Sequence, residues 1–144
     1  MNQSNRSVPG WYWILAVLFL LWNLMGVSQF FAITFISDES LARLSVEERA
    51  LYESYPGWVT VVFALAVFGG SIGSIGLLLR KRWARLAFII SLIGIVPQMI
   101  QNVFMTDARE VYGPGSVVMP VMILVLGIFL VWYAGMCIRK GWLR

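Results

Sequence analysis

Three amide side chains, Gln98, Gln101 and Asn102, sit close together in an otherwise apolar stretch. At spacing i, i+3, i+4 they share one face of a helix. An amide offers hydrogen-bond donors and an acceptor, but no charge and no proton to cycle at neutral pH. Pro97, directly before them, frees a carbonyl in the preceding turn. Asn23 and Gln29 add two more amides in an earlier apolar stretch. Two uses of this set stand open. Asn23, Gln29, Gln98, Gln101 and Asn102 line a small polar cavity for hydroxyl-rich or other neutral solutes, or they bond across helices and hold a bundle together.

Other chemistry is scarce. The chain has no histidine and one cysteine, Cys137. That removes the usual general base and metal ligand, and any disulfide within the chain. Apart from tyrosines and Cys137, no ionisable group interrupts the long apolar stretches, whereas proton-driven carriers place Asp, Glu or His there. The expectation is a protein that is not an enzyme, with no cofactor and no metal.

The elements that must position these amides are membrane helices. The chain is 60% hydrophobic and 12% charged, with a mean hydropathy of +0.80, against about 45–50% and about 25% in soluble domains. The reading is an all-α membrane protein, residues 1–144 forming a single four-helix membrane domain. Its transmembrane spans lie near 11–36, 58–79, 83–105 and 117–138. Between the first two, five acids accompany Ser45-Val46-Glu47-Glu48, a capping box. This predicts a short extracytoplasmic helical segment lying at the membrane surface. In the second span Gly69, Gly70, Gly73 and Gly76 recur at the small-residue spacing that lets helices approach closely. Packing within the bundle and dimerisation through the same face are both open.

Charge orients the chain. Arg6, the hinge residues Arg80, Lys81, Arg82 and Arg85, and the tail residues Arg139, Lys140 and Arg144 make eight of the eleven cations. All seven acids fall in the other two loops, with Arg43, Arg49 and Arg109. Cations in short loops mark the cytoplasmic side, so both termini and the hinge are expected there. Trp11, Trp13, Trp83 and Trp142 are then expected in the inner aromatic belt. The net charge of +4 is explained by this topology, so no nucleic-acid partner is expected. The expected partners are the lipid bilayer, a second copy or another membrane protein, and a neutral polar solute.

Trp22-Asn23-Leu24-Met25-Gly26, Phe63–Gly70, Leu78–Ala84, and Val111–Gly115 with Met119-Pro120 resemble a group of uncharacterised small bacterial four-helix membrane proteins. Members of that group often carry the label sugar transporter. The resemblance implies a bacterial inner-membrane location. Pro97-Gln98 is similar to the Pro-Gln pair of PQ-loop sugar carriers, from which the chain departs in having four helices rather than units of three, and no residue role is carried across. The expected function is a carrier or binding protein for a neutral polar solute such as a sugar; the alternative is a non-catalytic accessory subunit of a membrane assembly.

Overall fold

The computed structural model describes residues 7–144; Arg6, counted above among the orienting cations, lies outside them. Four long helices dominate. They are α1 (Gly10–Thr34), α4 (Gly57–Leu78), α5 (Trp83–Phe104) and α7 (Val118–Arg139), with two short helices, α2 (Asp38–Ala42) and α3 (Val46–Ser54), between the first pair. A third short helix, α6 (Ala108–Tyr112), and a 3-10 turn (Pro114–Val117) precede α7. No strand occurs among the described residues. The four long helices are long and apolar enough to cross a bilayer, which makes this an all-α four-helix bundle of a multi-pass membrane protein. The spans begin and end within one or two residues of the expected limits. The exception in kind is α1, whose apolar run continues to Ile36 while its helix stops at Thr34, because Ser37 turns outward to cap α2.

The tight centre is the α4–α5 pair. Added side-chain carbons show how tight: one at Gly94 would lie 2.5 Å from the Val62 carbonyl oxygen, and one at Gly69 would lie 3.0 Å from the Ser91 nitrogen. Gly73 lies under the Phe88 ring, and Gly76 against Trp83 and Ala84. The Ser91 hydroxyl donates to the Ala66 carbonyl across the pair at 2.6 Å. With no apolar driving force between helices in lipid, such close contact is what holds them together. This glycine face is used inside the molecule, so a dimer through it would require α5 to leave.

The outer two helices flank this pair, α1 against α4 and α7 against α5, and they meet each other at one end only. That is the basic end. There Tyr12, Tyr133 and Phe129 stack, Phe19 meets Phe129 at 5.8 Å between ring centroids, and the Tyr12 hydroxyl donates to the Leu77 carbonyl.

Both α4 and α7 stop at this end by the same device. A left-handed residue, Arg80 (φ 56°) or Gly141 (φ 74°), ends the helix. Lys81 N–H donates to Gly76 O and Trp142 N–H to Cys137 O, five residues back in each case. The two exits then clasp each other. Arg144 N–H donates to Arg80 O at 2.8 Å, and Arg82 N–H donates to Arg144 O at 3.0 Å. Arg80 Nε donates to Trp142 O at 2.8 Å. Trp142 is therefore not an interfacial belt residue. It and Leu143 are buried in the base, the latter 1% exposed.

Away from the base, α1 and α7 separate. Between Ala16 and Phe30, α1 buries no residue, and α7 buries none before Gly127. The bundle is sealed at the basic end and splayed at the acidic end.

Candidate functional site

The splay encloses two cavities between α1, α4, α5 and α7, capped by α3 and α6. The inner one has a volume of about 200 Å³. Its walls are mostly apolar: Trp22, Phe63, Val67, Ile95, Ile123 and Leu126 represent all four helices. The outer one, about 650 Å³, is bounded by the end of α1, by α3, and by the outer turns of α4 and α5. Phe63 and Gln98 line both, so they stand where the two meet.

The five amides divide between distinct environments. Gln98 is half-buried at that junction, Asn102 lines the outer cavity one turn further out, and Gln29 lines the inner cavity from α1. Among the described residues neither Gln29 nor Gln98 has a side-chain hydrogen-bond partner. These two are not interhelical glue.

Asn23 lines the inner cavity and is also tied down. Its Nδ2 donates to Phe19 O at 2.8 Å and approaches Ser74 Oγ at 3.4 Å. Gly70 makes room for it, since a side-chain carbon there would come within 1.9 Å of Asn23 Oδ1. Ser74 in turn donates to the Gly70 carbonyl at 2.9 Å.

Gln101 lines neither cavity. It is 4% exposed, and its Oε1 is buried without a partner. The expected single face of three amides is thus a face of two. Gln101 lies seven residues after Gly94, two turns along the same side, and Gly94 abuts α4.

The outer cavity brings in residues to which no ligand role attaches by sequence: Glu48, Tyr52, Glu53, Tyr55, Thr60 and Tyr112. The capping box at Ser45 orients Glu48, whose Oε2 accepts from Ser45 N–H at 3.0 Å while Ser45 Oγ accepts from Glu48 N–H at 3.1 Å. Arg49 Nε meets Glu53 at 3.1 Å. The Tyr52 hydroxyl donates to Ile33 O at 2.8 Å and pins α3 over the end of α1. Burial pushes the Tyr55 phenol above its usual pKa. Burial and the neighbouring Glu48 carboxylate do the same to Tyr112, where α6 meets α3. No Lys or Arg lines this cavity. The sequence signal for it was the capping box, which marks a helix but not what the helix covers. Among the described residues, no group of His, Cys, Asp and Glu could hold a metal ion.

Compared with known proteins, the chain matches no family model, no curated protein and no solved structure.

Proposed function

We propose that the protein is a small membrane-embedded binding protein or carrier for a neutral polar solute, sugar-like in its hydrogen-bonding, which enters at the acidic end. The observation that carries this reading is Gln98, an unpartnered amide at the meeting point of two cavities. Its amide is half-buried with donors and acceptor unengaged, so a solute hydroxyl can pair with it without breaking an existing bond. Asn102 stands one turn outward and Asn23 deeper. The charge distribution supports placing the basic end in the cytoplasm and the acidic end outside, and the resemblance to small bacterial proteins supports an inner-membrane location.

Binding of methyl glucoside and related neutral solutes to purified protein, followed by calorimetry, tests the proposal. Gln98→Leu is expected to weaken binding about tenfold, the loss of a hydrogen bond or two, while Gln101→Leu leaves it unchanged. Equal affinity in wild type and Gln98→Leu would refute it.

Asn23 favours the second reading, a non-catalytic accessory subunit, because its amide is already bonded within the bundle. That reading predicts a membrane protein co-purifying in fixed ratio, and no solute binding.

A further inference from the structure

We infer that the ligand is an amphiphile: a lipid with an uncharged, hydroxyl-rich headgroup, whose head occupies the outer cavity and whose hydrocarbon chain occupies the inner one. This rests on the solute-binding reading and narrows it.

The inner cavity is the reason. A sugar ring lowered into it would leave most hydroxyls against hydrocarbon, and burying hydroxyls without partners is unfavourable. Of its polar lining residues, Asn23 and Ser91 are already engaged by Phe19 and Ala66, Gln98 stands at the mouth, and Gln29 adds one free amide from an exposed position on α1. What fits the remaining surface is hydrocarbon. A cavity of about 150 Å³ lined by Leu, Ile and Phe takes up benzene, and this one is larger, at about 200 Å³. It reaches along α5 from Gln98 to Phe88, a rise of about 15 Å for ten residues, which suits a chain rather than a compact solute.

The cavity has a side entrance. Met25 of α1 and Met119 of α7 both line it, yet are 61% and 52% exposed. They sit on two helices that do not pack together at this depth. Exposure on that flank faces bilayer, so a lipid chain slides in sideways without crossing water.

The outer cavity selects the head. Gln98, Asn102, Thr60 and three tyrosines offer neutral hydrogen-bonding groups. Glu48 accepts from hydroxyls and repels anions, Glu53 is paired with Arg49, and no Lys or Arg lines the cavity itself. Anionic phospholipid heads are therefore disfavoured.

Photo-crosslinking tests this. The protein in nanodiscs is loaded with glucosyl-diacylglycerol carrying a diazirine midway along one chain, and adducts are mapped by mass spectrometry. Adducts are expected at Gly26, Met119 and Ile123, removed by excess unlabelled glucosyl-diacylglycerol but not by phosphatidylglycerol. Ile123→Trp, which fills the chain cavity, should abolish them. Leu126→Phe is the milder substitute if Ile123→Trp does not fold.

Adducts confined to outward-facing residues such as Leu18, Leu21 and Val125, or equal competition by phosphatidylglycerol, would overturn the inference. If methyl glucoside binds through Gln98 while the cavity acquires no adduct, the lipid assignment fails and the solute reading stands. If neither ligand binds, both fail.

Discussion

Gly70 and Asn23 form a matched pair, and the match has a measurable cost. Any side chain on Gly70 collides with the Asn23 amide, so Gly70→Ala is expected to destabilise the bundle by about 1–3 kcal/mol. The double variant Asn23→Ala/Gly70→Ala should recover part of that loss, since the collision disappears with the amide. Unfolding in a detergent titration, arranged as a double-mutant cycle, measures the coupling. Gln101 gives the opposite sign. Its buried Oε1 has no partner, so Gln101→Met, similar in volume, should leave stability unchanged or raise it by about 1 kcal/mol; a clear loss in the same titration would mean that Gln101 is engaged. The sequence placed all five amides in apolar helices, but not the surroundings of each. Positions i, i+3 and i+4 spread over an arc of about 100°, and the boundary between the α4 contact and the cavity falls inside that arc. Which side of it Gln101 takes depends on how α5 is rotated against α4, where Gly94 lets the two backbones touch, and a single-helix pattern contains no such information.

Helix α3 is short and exposed, and it caps the outer cavity through Glu48, Tyr52 and Tyr55. Its start depends on the reciprocal bonds of Ser45 and Glu48. Ser45→Ala is expected to cost about 1 kcal/mol locally, seen as faster amide hydrogen exchange across Val46–Ser54 with no change in α4 or α5. The i, i+4 pairs Arg43–Glu39 and Arg49–Glu53 are more than half exposed and add little. The capping box was legible because its two bonds are local. The clasp at the basic end was not. Trp142-Leu143-Arg144 has the composition of an interfacial anchor, and only the left-handed turns at Arg80 and Gly141 bring it back onto the hinge. Trp142→Ala should therefore behave as a core variant, costing about 3 kcal/mol, whereas Trp13→Ala, at an exposed position, should cost far less in the same unfolding assay.

At the scale of the whole molecule, the described charges separate completely. All seven acids, with Arg43, Arg49 and Arg109, stand at one end, and Arg80, Lys81, Arg82, Arg85, Arg139, Lys140 and Arg144 at the other. With Cys137 replaced by serine, a thiol at position 82 should resist a membrane-impermeant maleimide in intact cells, and one at position 47 should label. The reverse pattern would invert the proposed topology. The four spans were readable from apolar length alone, since a bilayer demands about 20 such residues. Their order around the bundle was not, because hydropathy is nearly uniform around α1, α4 and α7 and picks no partner. The sealed base has a consequence for the direction of exchange. A vessel closed at its base exchanges through the acidic mouth and the flank between α1 and α7, and its occupancy does not follow the ligand's activity at the basic end. To pass cargo to the far side, the Tyr12–Leu77 bond, the stacked rings and the tail clasp would have to open together. On the proposed reading, a single copy at rest holds its ligand rather than passing it on, and unidirectional flow would have to be driven by whatever prises that base apart.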